Sequence, residues 1–482
     1  MTASGASPAL LTDLYQLTMA QGYWKTGMVR HEAVFHLCFR KNPFGGAFAV
    51  CCGLQQVIEF LNGFGFDDSD CEYLRTLKGD DGQPLFEPAF IEYLSRFKFE
   101  CDLDAMPEGT VVFPQEPLVR VRGPLLQCQL LETPLLTLVN FPTLIATKAA
   151  RVCMAAQGEP VLEFGLRRAQ GMDGGLSASR AAYVGGCAGT SNVLAGKLYG
   201  IPVRGTHAHS WVMSFDTEAA SFEAYARAMP NNCIFLVDTY NTVEGVQHSI
   251  EAGQKLRESG HKMAGIRLDS GDLAELSIKA RRMLDDAGFK DAAIVASSDL
   301  DEYKIAELKQ RGAKIAVWGV GTRLATAYDE PALTGVYKIS AIREPGGDWK
   351  HKIKLSDDPA KGSTPGIQQV RRFSRDGRFV ADLIYDETNP PEGAWSGRDV
   401  DDAETTITPP GGSESGDLLK PILRKGEPVC ASPSIDEMRQ RCLAQLDALD
   451  PALRAIPPSA QYPVGLETGL FELKQQLVAA TR

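Results

Sequence analysis

The sequence lacks several features that would assign it at once to a broad functional class. Its 482 residues include eleven cysteines, but no Cys-x-x-C pair and no cysteine–histidine cluster with zinc spacing. We therefore expect buried free thiols in a reducing compartment and no structural zinc site. No block of lysine and arginine offsets the formal net charge of −11. General nucleic-acid binding is therefore not expected.

No apolar run is long and uninterrupted enough to predict a membrane span. The longest, residues 125–146, is broken by polar residues and prolines, namely Gln127, Gln129, Glu132, Pro134, Asn140 and Pro142. Residues 1–17 have no cationic stretch ahead of an apolar one, so we expect no secretory signal. These two observations predict a cytoplasmic protein with no membrane partner.

A regular alternation of strand-like and helix-like runs is present between residues 160 and 320. The strand-like runs are 161–164, 201–203, 233–237, 263–268, 292–296 and 315–318. Amphipathic runs of helical period separate most of them, which is typical of βα units and a parallel sheet. The fold class is therefore predicted to be α/β, and the number of strands favours a barrel over a doubly wound sheet.

The flanking regions have a different pattern. Residues 1–150 mix short strands with helical runs and are predicted to form an α+β domain, and the barrel is predicted to span 151–345. In the C-terminal part, 346–482, we expect antiparallel strands, an exposed loop over 386–416, and helices near 435–449 and 466–480. This part is expected to pack on the other domains.

A polar cluster follows each predicted strand directly. The clusters are residues 163–168, 205–209, 238–242, 267–272, 297–299 and 319–323. In a parallel βα array the carboxyl ends of all strands lie at one face, so we expect these clusters to converge. Helix capping explains part of this polarity, because Asn241 with Glu244 and Asp299 with Glu302 have capping-box spacing.

Capping does not explain the arginines in the same clusters. Four arginines on one face of an acidic protein indicate an anionic ligand, with phosphate and carboxylate the obvious candidates; they are Arg167, Arg168, Arg267 and Arg323. Residues 297–299 and 319–322 would supply backbone N–H groups near helix starts, as phosphate sites after late barrel strands do. Two histidines, His207 and His209, occupy the same face and could transfer protons or act as nucleophiles.

Several motifs resemble those of the nicotinate phosphoribosyltransferase family. They occur in family order at residues 12–19, 163–171, 189–196, 205–210, 267–273 and 319–322. The resemblance implies an irregular βα barrel with an N-terminal sandwich-like domain and a C-terminal extension. It also implies a homodimer whose active sites take residues from both subunits.

The same resemblance implies a reaction. The phosphoribosyl group of phosphoribosyl pyrophosphate is transferred to nicotinate, which gives nicotinate mononucleotide and pyrophosphate in NAD salvage. ATP is the co-substrate, and Mg²⁺ is expected to be bound mainly through phosphates, with no metal ligand assigned to the protein. The family's transiently phosphorylated histidine falls on His209, in the pattern Gly-Thr-x-Ala-His, and His207 at the variable position is a neighbour.

Roles for the catalytic and sugar-binding residues follow from the resemblance. Asp269 and Arg267 are expected to act with His209 in catalysis. Asp269 would hold the ribose hydroxyls while positive charge builds on the sugar. Asp238 would assist it, although a capping role is the structural alternative.

The remaining candidates bind the substrate. Phe164, and Tyr15 from the partner subunit, are expected to stack on the nicotinate ring, although either side chain could belong to the core. Arg167, Thr206 and Arg267 are expected to bind the nicotinate and phosphoribosyl groups. The predicted 5′-phosphate site consists of Ser298, Gly319, Gly321 and Thr322.

Three alternatives remain open on the sequence. The nearest is a nicotinamide phosphoribosyltransferase, which the stretch 192–196 fits less well. The second is a catalytically silent nucleotide-binding homologue, against which the presence of His209, Arg267 and Asp269 argues. The third is a barrel aldolase or isomerase, but Lys197 lies in a predicted helix and no lysine is placed for a Schiff base.

Overall fold

The computed structural model describes residues 8–356 and 362–481. The chain divides into two compact units, which we describe separately. One comprises the segments Met1–Leu144 and Ala332–Arg482, and the other is Ile145–Pro331. The division into three domains at residues 150 and 345 stays a prediction. None of the helices in the described ranges combines the length and apolar character that a membrane crossing requires.

The N-terminal segment of the first unit alternates short strands and helices. Its strands are β1 (Glu32–Phe39), β2 (Ala49–Val50), β3 (Asp102–Ala105), β4 (Val111–Val112) and β5 (Val119–Pro124), and its helices α1 (Leu14–Lys25), α2 (Leu54–Asn62), α3 (Asp68–Thr76), α4 (Pro88–Ser95) and α5 (Leu125–Leu130). Helix α2 buries Leu54, Val57 and Leu61, which lie on one face at helical spacing. Helix α3 begins with a capping box between Asp67 and Asp70.

The unit 145–331 has the predicted βα order. Its strands are β6 (Val161–Glu163), β7 (Gly189–Thr190), β8 (Ile234–Leu236), β9 (Gly265–Leu268), β10 (Ala293–Ala296) and β11 (Val317–Val320). Its helices are α6 (Glu132–Ala155), which begins in the preceding segment, α7 (Gly171–Val184), α8 (Val193–Tyr199), α9 (His209–Met213), α10 (Glu218–Ala228), α11 (Thr242–Glu258), α12 (Leu273–Asp286), α13 (Glu302–Gln310) and α14 (Thr322–Ala325). Asn241 caps α11 as predicted, but the cap of α13 is Asp301 and not Asp299.

The strands of this unit form one six-stranded sheet in the order β7-β6-β11-β10-β9-β8. Every neighbouring pair is parallel, so the predicted parallel α/β architecture is confirmed. These strands contain buried apolar residues, such as Ile266 and Ile294. In a parallel sheet such residues are usually covered by helices that pack on both faces of the sheet.

One predicted strand of this sheet was wrong. Residues 201–203 make only an isolated parallel bridge, between Val203 and Thr190, and the edge strand is β7 instead. Pro202 lacks the N–H group that a strand at this position needs for its ladder, which explains the failure. The sheet is therefore open between β7 and β8, its two edge strands.

The segment after Val203 partly fills this opening. The backbone N–H of Leu236, in edge strand β8, donates to Nε2 of His207 over 3.2 Å. Val203 itself bridges to Thr190 in the other edge strand. Among the described residues the strands therefore form an open parallel sheet and no closed barrel, and one side chain and one bridge lie at its edge strands, where a closed barrel would have a further strand pair.

The C-terminal segment returns to the first unit. Its strands are β12 (Gly335–Arg343), β13 (Lys350–His351), β14 (Gln368–Arg375), β15 (Arg378–Asp386), β16 (Gly397–Asp399), β17 (Thr406–Ile407), β18 (Glu414–Asp417), β19 (Lys420–Arg424), β20 (Glu427–Pro428) and β21 (Val464–Glu467). Its helices are α15 (Ile435–Ala448), α16 (Pro451–Arg454) and α17 (Thr468–Thr481). The predicted exposed loop 386–416 therefore contains two short strands, β16 and β17, and the start of a third, β18.

Both segments of the first unit contribute to its main sheet. The sheet has seven strands in the order β13-β12-β1-β5-β3-β19-β20, in which β1 pairs with β12 and with β5, both antiparallel. A second, six-stranded sheet has the order β17-β16-β21-β15-β14-β18, and β2 pairs with β4.

A buried ionic cluster lies within the same unit. Arg372 and Asp382 pair with 2.6 Å between Nη2 and Oδ2, and their side chains are 6% and 0% exposed. The Tyr462 hydroxyl donates to the second carboxylate oxygen over 2.9 Å. Burial, and then the neighbouring Asp382, raise the pKa of Glu116 well above its usual range.

Candidate active site

Polar side chains after strands β8, β9 and β10 meet at the carboxyl edge of the parallel sheet. Arg267 lies within β9 near its end, and Asp269 follows that strand directly. Asp238 follows β8, and Ser297 follows β10. Direct hydrogen bonds connect these four residues.

Arg267 is the most connected side chain of this group. Its Nη2 donates to Asp269 Oδ1 over 3.1 Å, and its Nη1 donates to Thr206 Oγ1 over 3.1 Å. Its Nε donates to the Ser297 hydroxyl over 2.8 Å, and that hydroxyl in turn donates to Asp269. These bonds fix the guanidinium plane and hold one oxygen of the Asp269 carboxylate.

His209 lies opposite the other oxygen of that carboxylate. It is the first residue of helix α9, and its Nε2 is 3.7 Å from Asp269 Oδ2. Its Nδ1 is 3.1 Å from the Thr239 hydroxyl. The His209 side chain remains 41% exposed, so the imidazole is both oriented by neighbours and accessible to a ligand.

Asp238 supports the loop that carries Asp269. Its Oδ2 accepts hydrogen bonds from the Asp269 backbone N–H over 2.9 Å and from the Ser270 hydroxyl over 2.5 Å. Its Oδ1 is buried and has no hydrogen-bond partner in the described ranges. A buried carboxylate oxygen without a donor is costly, so a ligand or metal ion would stabilise it.

Phe164 and two glycines, one within β11 and one directly after it, form a second group. The ring of Phe164 lies against Gly319, where an added Cβ would meet Cδ2 of the ring at 2.7 Å. An added Cβ at Gly321 would meet the Phe164 carbonyl oxygen at 3.3 Å. The Arg267 guanidinium carbon is 5.8 Å from the ring centroid, which connects this group to the first.

Arg167 and Thr322 lie at the start of short helical segments. Arg167 belongs to the 3₁₀ turn Leu166–Arg168, and it is exposed. Thr322 is the first residue of the short helix α14. Both follow strands of the same parallel sheet, β6 and β11, at its carboxyl edge.

The loop after β10 has a strained backbone. Ser298 and Asp299 are consecutive residues with φ of +102° and +47°, a region that residues other than glycine rarely adopt. Arg323 donates to Asp299 over 3.2 Å and 3.3 Å, and to Asp329 over 3.2 Å. These bonds hold the strained loop beside the start of α14.

Tyr15 is the one predicted site residue outside the unit 145–331. It belongs to the first compact unit, where it lies on helix α1 and is 46% exposed. The structure describes no ring contact for it. Its predicted role with the nicotinate ring therefore stays a prediction.

Comparisons with known proteins identify the family of this chain. The profile of the nicotinate phosphoribosyltransferase (NAPRTase) N-terminal domain matches residues 10–140, that of the NAPRTase family matches 160–381, and that of the C-terminal domain matches 367–474. Nicotinate phosphoribosyltransferase of Bacillus subtilis (strain 168) is 43% identical, over 98% of this chain and 95% of that protein. The Homo sapiens enzyme of the same name is 37% identical, over 99% and 98%.

The solved structure of human nicotinic acid phosphoribosyltransferase superposes with a TM-score of 0.84 at 34% identity. It covers 97% of this chain and 100% of that chain. The chain belongs to the nicotinate phosphoribosyltransferase family. The α/β fold predicted from the resemblance is thereby confirmed.

In this family member the two neighbouring histidines have different environments. His207 is 8% exposed and packs edge-on against Tyr225, with 4.8 Å between ring centroids. Burial lowers its pKa below the usual value for histidine. His207 is therefore a neutral acceptor for Leu236, whereas the side chain of His209, at the start of α9, is 41% exposed.

Sequence reasoning missed three residues that organise the site of this family member. Thr239 contacts His209, and Ser297 connects Arg267 with Asp269. Glu163 is 1% exposed and accepts hydrogen bonds from Thr190 and from the backbone N–H of Gly165, at the turn that follows Phe164. All three lie inside the polar clusters of the sequence, so their position at or after the end of a strand was the available signal.

The site also has donors that suit a hard cation. Among the described residues, no group of three or more His, Cys, Asp or Glu side chains is arranged to hold a metal ion. However, Asp238 Oδ1 is unpartnered, and Asp269 Oδ2 faces the accessible His209. Mg²⁺ takes oxygen ligands and commonly keeps waters and substrate phosphates. The two acids fit such an ion.

Proposed function

We propose that this family member transfers the phosphoribosyl group of phosphoribosyl pyrophosphate to nicotinate, with assistance from ATP. The products are nicotinate mononucleotide and pyrophosphate, as in NAD salvage. The observation that carries the proposal is the grouping of His209, Arg267 and Asp269 at one edge of the parallel sheet. The shared name of the B. subtilis and human relatives supports it.

His209 is the proposed site of transient phosphorylation by ATP. Its exposed imidazole can act as a nucleophile, since neutral imidazole carries one lone pair in the ring plane. Phosphorylation would place about two negative charges at the sheet edge. Arg267, which is held 3.1 Å from Asp269, is the guanidinium of this group that could interact with that charge.

Asp269 and Asp238 are proposed to serve the sugar. Breaking the bond between ribose and pyrophosphate builds positive charge on the ribose ring, as in glycosyl transfer. Asp269 is fixed by Arg267 on one oxygen and keeps the other available, so it can hold the ribose hydroxyls. Asp238 positions Asp269 through its backbone N–H and offers an unpartnered oxygen of its own.

Nicotinate is a flat ring with a carboxylate, and the second group of residues suits both parts. We propose that Phe164 stacks on the ring, together with Tyr15 of the partner subunit. Arg167, Thr206 and Arg267 would bind the carboxylate and the phosphoribosyl group. The 5.8 Å distance between the Arg267 guanidinium and the Phe164 ring supports one shared pocket.

The 5′-phosphate is proposed to bind where the β10 and β11 loops meet. Ser298 lies in the strained turn, and strained turns expose backbone N–H groups in anion-binding arrangements. Gly319, Gly321 and Thr322 would supply backbone N–H groups, and the two glycines also leave room for Phe164. Magnesium, when bound, neutralises the leaving pyrophosphate, and Asp238 and Asp269 are the residues that would hold it.

We further propose a homodimer in the cytoplasm. Helix α8 exposes three apolar side chains, Val193 (70%), Leu194 (50%) and Leu198 (42%), and a contiguous apolar surface of this kind marks an interface. Helix α1 exposes apolar side chains beside Tyr15 in the same way. The eleven cysteines are all free thiols, which supports a reducing compartment.

The test is a product assay with nicotinate, phosphoribosyl pyrophosphate and magnesium, with and without ATP. We expect nicotinate mononucleotide in both cases, with more product when ATP is present. His209→Ala should lose the response to ATP, whereas His261→Ala, at the opposite edge of the sheet before β9, should keep it. Product from nicotinamide and not from nicotinate would overturn the proposed substrate, and no product from folded protein would overturn the reaction.

A further inference from the structure

The imidazole of His209 is held from a second side by a residue outside the catalytic group. Thr239 Oγ1 lies 3.1 Å from Nδ1, and this is the hydroxyl's only hydrogen bond within the described part of the chain. Thr239 comes from the segment after β8, thirty positions along the chain. A β-branched side chain has few χ1 rotamers, so it places its hydroxyl with little freedom.

The two ring nitrogens of His209 therefore have different surroundings. At Nδ1 the hydroxyl oxygen occupies the direction in which a lone pair or an N–H bond points. At Nε2 the facing group is Asp269 Oδ2, at 3.7 Å, which is too long for a hydrogen bond. An electrophile that reaches Nε2 breaks no hydrogen bond of the ring, but at Nδ1 it would have to displace Thr239.

The neighbouring residue reinforces this arrangement. Asp238 precedes Thr239 in the chain, and its Oδ2 holds the Asp269 backbone N–H and the Ser270 hydroxyl. The short segment 238–239 thus fixes both the loop that faces Nε2 and the hydroxyl that faces Nδ1. The His209 imidazole therefore lies between Asp269 and the Thr239 hydroxyl, and the backbone of residues 238–239 helps to position both groups.

We propose that Thr239 is a positioning residue whose hydroxyl accepts the Nδ1–H of His209 and so keeps the Nε2 lone pair available for attack. This inference rests on the proposed function, because it concerns the histidine that ATP would phosphorylate. Thr239 is not a catalytic residue in this account, since it contacts the histidine and not the reacting phosphorus. The role of the bond resembles that of the carboxylate that fixes the imidazole tautomer in serine hydrolases.

The chemical step balances with this assignment. The Nε2 lone pair forms the bond to the γ-phosphorus of ATP, and the bond from that phosphorus to the β,γ-bridging oxygen breaks. The electron pair of that bond leaves with ADP. Nδ1 keeps its hydrogen throughout, and the Thr239 oxygen accepts it before and after the step. The positive charge that the ring gains is stabilised by Asp269 beside Nε2.

The first experiment observes the tautomer in the enzyme without substrates. The protein is labelled with ¹⁵N in the imidazole rings of its seven histidines, and His209→Gln assigns the His209 signals by difference. In the neutral ring of the wild type we expect Nδ1 to carry the proton and Nε2 to be unprotonated. Thr239→Val, which has the same shape but no hydroxyl, should give a mixture of tautomers, and Thr239→Ser should restore the wild-type signals.

The second experiment measures the ATP-stimulated rate of product formation in the same variants. We expect Thr239→Val to lower the ATP-stimulated kcat about 10- to 100-fold, since a hydrogen bond to a group that becomes charged is lost. Thr239→Ser should stay within about 3-fold of the wild type. The KM for nicotinate should not change, because Thr239 contacts none of the residues proposed to bind it.

The outcomes separate this inference from the proposed function. A wild-type His209 protonated at Nε2, or a Thr239→Val variant with unchanged tautomer and unchanged ATP stimulation, would overturn the role of Thr239. If Thr239→Val does not fold, the tautomer of the wild type and the rate of Thr239→Ser still decide. A wild type without nicotinate-dependent product overturns the proposed function, whereas the tautomer result stands independently of it.

Discussion

Arginine–aspartate pairs occur in both compact units, but they are built for different tasks. In the first unit, Arg372 and Asp382 are almost completely buried, and both oxygens of the carboxylate accept hydrogen bonds. In the unit 145–331, Arg267 and Asp269 are 12% and 26% exposed. There, one oxygen of Asp269 is held by Arg267 and the other faces His209.

The comparison shows how one chemical pair can stabilise a fold or serve a reaction. A fully satisfied, buried pair leaves no acceptor for a ligand, and removal of either partner leaves the other charge buried. A partly exposed pair with a spare oxygen contributes less to stability and can bind substrate. The following predictions test this difference in order of decreasing effect.

The largest effect is expected for Asp382→Asn. The substitution leaves the buried Arg372 guanidinium without its charged partner, which typically costs about 3–5 kcal/mol. Urea denaturation of the variant should show a free energy of unfolding lower by this amount. A loss below about 1 kcal/mol would contradict the structural role that we assign to the pair.

Asp269→Asn should affect activity and leave stability nearly unchanged. We expect kcat/KM for nicotinate to fall about 100- to 1,000-fold, as when one preorganised electrostatic contact is removed from an active site. The free energy of unfolding should change by less than about 1 kcal/mol, since the pair is partly exposed. Asp285→Asn, which breaks another Arg–Asp pair on α12, is the matched control and should preserve activity. If Asp269→Asn lost as much stability as Asp382→Asn, the difference that we infer between the two arginine–aspartate pairs would be contradicted.

Gly319→Ala tests whether the Phe164 ring depends on the space that a glycine at position 319 leaves for it. The new Cβ would lie 2.7 Å from Cδ2 of the ring, so the ring must shift at a cost of about 1–3 kcal/mol. We expect the KM for nicotinate to rise about 5- to 100-fold. Gly63→Ala, where an added Cβ meets nothing within 4 Å, should leave the KM at the wild-type value. An unchanged KM in Gly319→Ala would show that Phe164 does not contact nicotinate.

The smallest effect is a pH dependence that comes from His207. Burial lowers its pKa in the folded state, so on acidification the unfolded chain takes up this proton first. Stability from this residue is present above pH 6.5 and is lost as the pH falls toward the folded pKa, at no more than about 1.4 kcal/mol per pH unit. His207→Gln keeps an acceptor for Leu236 but cannot titrate. It should lose less stability than the wild type between pH 7 and pH 5, and equal losses would refute the assignment.

The sequence predicted the parallel architecture because its signals are local. Strand-like and helix-like runs alternate within about 40 residues, and polar clusters mark the strand ends. The strand predicted at 201–203 was wrong because Pro202 can accept a hydrogen bond from a neighbouring strand but cannot donate one. Strand β7 was missed because two residues are too few to show an alternating pattern.

Contacts inside the site could not be predicted in the same way. His209 meets Thr239, Arg267 meets Ser297, and Asp238 meets Asp269, each pair separated by 30 or 31 positions. Such bonds depend on which strands are neighbours and on the register between them. The local sequence pattern of one strand shows neither of these. The polar clusters showed which segments meet, and the structure shows which atoms do.

The first compact unit consists of two segments that are far apart in the chain, and this affects how the chain folds during synthesis. Strand β1 pairs with β12, and the ion pair between Glu32 and Arg343 joins residues 311 positions apart. At about 5–20 residues per second, β1 leaves the ribosome roughly 15 to 60 s before this partner exists. During that interval the continuous unit 145–331 is completed, while the edge of β1 that β12 later covers has no native partner. Chaperone binding to nascent chains should therefore concentrate on the N-terminal segment.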